Sequence, residues 1–406
     1  MNIDSGKKKD SIVTVSLAIF CQSFQALTIG GIALFLPLIR HDLVLSFTQG
    51  GMLSAVTTFV YAIMQIPSGF LADRYGPKRI FFIGVLGTTV LSLAFGLVTE
   101  YWQAVANQAF SGFFRALLFA PGLTLVAGWF PPQRRATAMS LYLAGGFAGN
   151  VVLDIVGPLL VNEFGWRFPF IVFSAFGIIA SFVLLHFSKE SPSIDRDHKV
   201  SVSEVLYLFR YRVMWFCGGI QYIRLAIMQG ITFWLPSLLV DEKGLTLQIT
   251  GLIIALRAAL IIPSNIIGGY VSDRLKNPIL IIALALLILA ATNSLLVMVN
   301  NIPLLIAIVV INSLFVQMYF GPLFAIPVEF LGAKKAGITA GFSNFFANVG
   351  AFSFTYLLGV LKDETGIFQS GFYTTTGAAL FGIVLTILLG RIRSQMLERQ
   401  VQQPSP

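Results

Sequence analysis

Long apolar runs alternate with short polar joints along the whole chain, and the runs recur at one length. They lie at 12–38, 48–72, 79–98, 102–128, 136–161 and 166–187, and again at 212–238, 246–271, 278–299, 303–327, 337–361 and 370–390. About 20 apolar residues in a helix span the roughly 30 Å of hydrocarbon in a bilayer. Backbone groups inside lipid must be satisfied within the segment, so each run predicts a transmembrane helix. The expected fold is all-α and integral to the membrane, with twelve spans. The polar stretch that begins at Ser188 is the longest. It divides the chain into an N-terminal six-helix half at 1–187, a cytoplasmic linker at 188–209 and a C-terminal six-helix half at 210–406. The first run follows Lys7, Lys8 and Lys9 but lacks a small-residue cleavage site, so it is read as a retained helix rather than a signal peptide.

Composition agrees with this pattern. Hydrophobic residues make up 56% of the 406 and charged residues only 11%, with a mean hydropathy of +0.83. Soluble domains are about one quarter charged, so most of this surface must face lipid. The net charge of +9 would suit nucleic acid, but its placement argues against such a partner. Of the 27 Lys and Arg residues, 20 fall at the N-terminus, at alternate joints or in the C-terminal tail. Only Arg40, Arg167, Lys243 and Lys362 lie on the opposite side. The positive-inside rule then places both termini in the cytoplasm, with the protein in the cytoplasmic (inner) membrane. Cys21 and Cys217 sit singly in apolar runs, and His41, His186 and His198 lie at run ends or in joints. No metal, cofactor or enzymatic cluster is expected, nor is a nucleotide-binding loop.

The two halves echo each other. GFLADRYGPKR at 69–79 and GYVSDRLKNPI at 269–279 share Gly, three residues, then Asp-Arg, 200 residues apart. WFPPQRRA at 129–136 and EFLGAKKA at 329–336 keep that offset, with Arg134 and Arg135 matching Lys334 and Lys335. GIALFLP at 31–37 and GITFWLP at 230–236 fall one residue away from it. One shared offset across several weak matches indicates a duplicated unit. The first motif, with Gly69, Asp73, Arg74, Gly76, Lys78 and Arg79, resembles the signature between spans two and three of the major facilitator superfamily. The second copy retains Gly269, Asp273 and Arg274, and GWRFPF at 165–170 is also typical. The resemblance implies a transporter working by alternating access, with the motif and Arg134 and Arg135 latching the halves on the inside. Physically, Gly76 supplies a turn with positive φ. Asp73, ending a span, is placed to accept from helix N-terminal amides or to pair with a cation.

Three arginines fall inside spans, Arg115, Arg224 and Arg257, against one acid, Asp154. A charge at mid-bilayer costs about 2.5–3.5 kcal/mol on insertion scales. The cationic excess therefore calls for an anion, which Arg binds bidentately. Helical spacing puts Gln108, Ser111 and Arg115 on one face, Gln221, Arg224 and Met228 on another, and Gln22 with Gln25 on a third. The repeat sets Gln25 in register with Arg224. Asn344 and Asn348 lie one turn apart, as do Asn150 and Asp154, and Gln317 and Tyr319 complete the set. Arg115 with Asp154 is expected either as a structural ion pair or as a proton switch.

The expected substrate is a small organic anion, carried by a monomer in the lipid bilayer and coupled to protons or to a counter-anion. Arginines in spans seven and eight are loosely similar to the organic-anion and monocarboxylate branches. An efflux pump for drugs or metabolites is the alternative. It is disfavoured because Gly157-Pro158-Leu159-Leu160 is followed by Val161-Asn162, where drug antiporters carry a glycine pair. A non-transporting membrane sensor is a remote third.

Overall fold

The structure, a computed structural model, describes residues 3–130, 135–190, 208–331 and 336–402. Among these, all regular structure is helical. Ten helical segments are long and apolar enough to cross a bilayer, and a pair bent by 51° between Gln65 and Pro67 makes an eleventh. The break follows from chemistry, since proline in a helix removes a backbone donor and crowds the preceding turn. The first expected span is not one helix. It is divided into α1 (Ile3–Ser23), a π-turn (Leu27–Gly31) and α2 (Ile32–Asp42). At the joint, Phe24 and Gln25 N–H groups donate to the Cys21 and Gln22 carbonyls at 3.3 and 3.4 Å, a tighter and weaker pattern than the α-ladder.

The remaining helices of the N-terminal stretch are α3 (Phe47–Tyr75), α4 (Pro77–Phe95), α5 (Tyr101–Ala127), α6 (Arg135–Phe164) and α7 (Arg167–Phe187). Then come α8 (Arg212–Ser237), a second π-turn (Leu238–Glu242), α9 (Leu247–Leu275), α10 (Pro278–Met298), α11 (Ile302–Val316), α12 (Phe320–Leu331), α13 (Ala336–Thr365) and α14 (Gln369–Gln402). The chain forms two compact units. Unit 1 comprises Met1–Lys199 with Phe233–Ala259, and unit 2 comprises Val200–Thr232 with Leu260–Pro406.

In unit 1, α5 packs on α3 and α4, α4 on α7, and α1 on α6. Its core holds Ala18, Cys21, Phe81, Val85, Leu118, Leu125, Tyr142 and Leu184. The Tyr142 hydroxyl lies 2.7 Å from the Leu118 carbonyl and 2.5 Å from the Gln22 amide, tying α6 to α5 and α1. In unit 2, α10 packs on α14 and α11, and α13 on α14. A buried polar chain crosses that packing. The Asn312 amide donates to Thr292 Oγ1 at 2.9 Å and Asn293 Oδ1 at 2.8 Å, and Asn293 donates to Thr375 Oγ1 at 3.1 Å. Without a hydrophobic force between helices in lipid, such bonds and close small-residue contacts hold them together.

Small residues make matching contacts in both units. Gly149 on α6 faces the Ser23 carbonyl of α1, and Gly350 on α13 faces the Tyr222 carbonyl of α8, each too close for a Cβ. The repeated turn is also visible. Gly76 ends α3 with φ +91° and Pro77 opens α4. In the second copy Lys276 takes φ +49°, Asn277 caps α10 by accepting from Leu280 N–H at 3.1 Å, and Pro278 opens the helix. Pro278 thus does the work of Pro77, and the second turn is one residue longer. Direct superposition of the motifs at an offset of 200 sets Pro278 against Lys78 and misses this insertion.

Candidate functional site

Unit 2 contains the best-organised buried charge. Arg224, 3% exposed, sits on α8. Its Nε donates to Gln221 Oε1 at 2.7 Å, one turn earlier, and one Nη donates to Gln317 Oε1 at 2.9 Å. The guanidinium also lies 4.9 Å from the centre of the Phe320 ring. Gln317 and Tyr319 fall at the joint between α11 and α12, where short bonds such as Phe320 N–H to Gln317 O (3.1 Å) replace the ladder. On an unbroken helix, residues two apart point to different faces. Here the joint leaves both Gln317 and Tyr319 buried. Among the described residues no carboxylate oxygen comes within 4.0 Å of the Arg224 nitrogens. The cation is therefore oriented by neutral amides and an aromatic face but not neutralised. A buried charge in that state costs several kcal/mol unless something pairs with it.

The other expected residues are more scattered. In unit 1, Arg257 on α9 is 1% exposed. Arg115 on α5 lies over the Tyr61 ring at 4.5 Å, and Asp154 on α6 is 2% exposed. The expected Arg115–Asp154 ion pair does not form. The guanidinium takes an aromatic face instead, and no cationic nitrogen among the described residues comes within 4.0 Å of the Asp154 carboxylate. Gln108 and Ser111 do not extend the Arg115 face into a site. Gln108 accepts from Thr57 Oγ1 at 2.8 Å and donates to Asn107 Oδ1 at 3.2 Å, while Asn107 donates to the Leu91 carbonyl at 2.8 Å. These bonds staple α3, α4 and α5. Gln25 lies beside Gly146 at the α1 break. Asn150 and Asn348 bond back to the Gly146 and Asn344 carbonyls at 3.2 and 2.8 Å, the same intrahelical arrangement in both units. Asn344 and Asn348 lie on α13 and were expected beside the site; no bond joins their side chains to Arg224.

At the motif turn, Asp73 is exposed and makes no hydrogen bond or ion pair among the described residues, so it does not act as the expected helix-end acceptor. That place belongs to Glu190, a residue that no spacing rule singles out. Glu190 Oε1 accepts from Lys78 N–H at 3.2 Å, at the start of α4. Beside it, Lys78 Nζ donates to the Ser188 carbonyl. Lys189 pairs with Asp10 at 2.9 Å and its N–H donates to Thr14 Oγ1 at 2.9 Å. Residues 188–190 are thus clasped between α1 and α4. Arg74, Lys78 and Arg79 line a cavity of about 620 Å³ with Tyr75, Leu185 and Glu190. Asp273 and Arg274 are exposed at the end of α9, as is Gly69's neighbour Phe70 on α3. Arg134, Lys334 and Lys335 lie outside the described residues, as does the side chain of Arg135.

Comparison with known proteins decides the family. The model of the Major Facilitator Superfamily matches residues 18–355. The chain belongs to that superfamily. Superfamily membership fits both the helical architecture and the glycine-and-Asp-Arg turn, and makes this an integral membrane protein. Relatives include the hexuronate transporter of Bacillus subtilis (strain 168), 22% identical over 398 residues, covering 93% of this chain and 94% of the relative. A probable galactarate/D-glucarate transporter of the same organism is 24% identical over 405 residues, covering 90% and 89%. In fold, the chain resembles the crystal structure of a bacterial homolog of the human lysosomal transporter Spinster, in an inward-facing and occupied conformation. The TM-score is 0.80 at 16% identity, covering 94% of this chain and 97% of that one.

Proposed function

We propose that this superfamily member is a secondary transporter of a small organic anion, carboxylate-like, with Arg224 as its principal anchor. The observation that carries the reading is the Arg224 guanidinium, buried, aimed by Gln221 and Gln317, and without a carboxylate partner among the described residues. A carboxylate from outside the chain supplies the missing charge in a bidentate geometry that a guanidinium favours. Arg257 and Arg115 are the further cationic candidates, within unit 1, in this reading. Relatives whose names specify hexuronate and galactarate or D-glucarate, all sugar acids, support it. Both termini face the cytoplasm, from the distribution of Lys and Arg.

For coupling, Asp154 is the proposed proton carrier. It is the acid buried in α6, and its separation from Arg115 leaves its carboxyl free to gain and lose a proton. Purified protein in liposomes tests both parts. Screening sugar acids, short carboxylates, phosphate esters, neutral sugars and cationic dyes for thermal stabilisation should yield an anion whose effect disappears in Arg224→Gln. That anion should then accumulate under an inward proton gradient. Asp154→Asn should keep counterflow exchange and lose the response to the gradient. Stabilisation by a neutral or cationic compound that survives Arg224→Gln would overturn the anion reading. Gradient-driven uptake that survives Asp154→Asn would overturn the coupling.

A further inference from the structure

The turn between α3 and α4 borders a cavity in unit 1 whose walls are mostly cationic. Arg74, Lys78 and Arg79 line its volume of about 620 Å³ against one carboxylate, Glu190, with Tyr75 and Leu185 completing the wall. These side chains leave an excess of two positive charges. Arg74 and Arg79 are exposed, and Lys78 is half-buried. Burial pushes the Lys78 ammonium below its ordinary range; Glu190 opposes the shift and the Arg79 charge adds to it. Like charges thus repel across the cavity, and an anion between them relieves both. One helical turn along α4 the surface becomes apolar. Phe82, three and four residues beyond Arg79 and Lys78, meets Phe182 of α7 edge-on, with ring centres 5.8 Å apart. Phe182 stands three residues before Leu185 of the cavity and is 53% exposed. Ile83, beside Phe82, is exposed as well. Both α4 and α7 are long and apolar enough to cross a bilayer, so the cavity lies where headgroups give way to hydrocarbon.

We propose that this cavity binds the phosphate of an anionic glycerophospholipid, whose acyl chain lies over Phe182. Guanidinium groups match phosphate oxygens in pairs, and basic pockets at a membrane boundary attract anionic headgroups. A free phosphate would meet the arginines but leave Phe182 and Ile83 unused. A zwitterionic lipid would bring its own cation into a cavity that already holds too many. The bound headgroup would sit against the clasp of residues 188–190, where Lys78 holds the Ser188 carbonyl and Glu190 holds the Lys78 N–H. This site is independent of Arg224, so neither reading depends on the other.

Native mass spectrometry of the full-length protein in neutral detergent tests this, by titration with phosphatidylglycerol or with phosphatidylcholine of the same acyl chains. Phosphatidylglycerol should bind at least about fivefold more tightly, the worth of roughly one basic side chain at a membrane surface. Arg74→Gln and Arg79→Gln should each weaken it by about fivefold, and together by about 25-fold. Both side chains are exposed, so neither change opens the core. Arg274→Gln, at an exposed position in unit 2, should change it less than twofold. Equal binding of the two lipids by the unaltered protein would overturn the proposal, whatever the variants do. Equal losses in Arg274→Gln and Arg79→Gln would overturn it too, because general surface charge would then explain the preference. Glycerol 3-phosphate at millimolar concentration should leave phosphatidylglycerol bound. Its complete displacement would overturn the lipid as occupant and assign the cavity to a soluble phosphate ester. Phe182→Ser should weaken phosphatidylglycerol by about threefold or more, the worth of roughly one lost apolar contact; an unchanged affinity would overturn the place given to the acyl chain.

Discussion

Gly76→Ala tests the motif turn with a cost that can be worked out from its geometry. The residue has φ +91° and ψ 135°, outside the left-handed helical well that Asn or Lys can enter. Placing an L-residue there costs about 1–3 kcal/mol in backbone strain. The new methyl group would also sit 2.5 Å from Glu190 Oε1 and 3.2 Å from its carboxyl carbon. The carboxylate must withdraw, and in doing so it releases the Lys78 N–H at the start of α4. That bond to a charged, partly solvated acceptor contributes about 1 kcal/mol. The single substitution should therefore destabilise by about 3 kcal/mol. The assay is thermal unfolding in detergent at one fixed scan rate, because unfolding of such proteins is usually irreversible. A double-mutant cycle separates the parts. In a Glu190→Ala background the loss from Gly76→Ala should shrink by about 1 kcal/mol, leaving backbone strain alone. A neutral Gly76→Ala would refute the strain argument. An equal cost in both backgrounds would refute the role given to Glu190.

Other substitutions should behave as follows under the same melting assay. Lys276→Gly relieves a side chain held at φ +49° and should stabilise by about 1 kcal/mol. Gly350→Ala, against the Tyr222 carbonyl, should destabilise by about 1–3 kcal/mol. Gly341→Ala on the same helix meets nothing within 4 Å and should be neutral or slightly stabilising. Asn312→Leu removes bonds to Thr292 and Asn293 and should cost about 1–2 kcal/mol, and should leave the anion binding proposed for Arg224 unchanged.

What could be read from the chain follows a physical divide. Apolar run length is a local property, and α4, α7 and α10 lie within a few residues of the runs that predict them. Positive φ at Gly76 is also local, since the turn demands it whatever surrounds it. Partners of polar side chains are set by packing between distant segments. Glu190 meets Lys78 across 112 residues, with no spacing rule to announce it. The Arg115–Asp154 pair failed for the same reason, because counting charges says nothing of the Tyr61 ring that lies under the guanidinium. The joints in the first and tenth spans were hidden too. Apolar runs continue on both sides of Phe24–Gln25 and Gln317–Tyr319, although these are where the ladder is interrupted.

The two units share a backbone contact and differ at the polar centre. Gly149 against Ser23 and Gly350 against Tyr222 are the same helix crossing made twice, since both require a residue without a side chain. Just beyond each crossing the two copies part. In the first, α1 ends at Ser23 and Gln25 falls in the break. In the second, α8 runs on through Tyr222, so the corresponding Arg224 stands on unbroken helix. The interruption lies instead between α11 and α12, at the residues that meet the guanidinium. A charge is best fixed on a rigid element, where its direction costs no ordering entropy on binding. A joint frees residues two apart from lying on opposite faces, and Gln317 and Tyr319 are both buried there. On the proposed reading, carboxylate affinity should then depend on the continuity of α8. Discrimination among carboxylates should depend on the joint, so changes at Met318 should alter selectivity more than affinity.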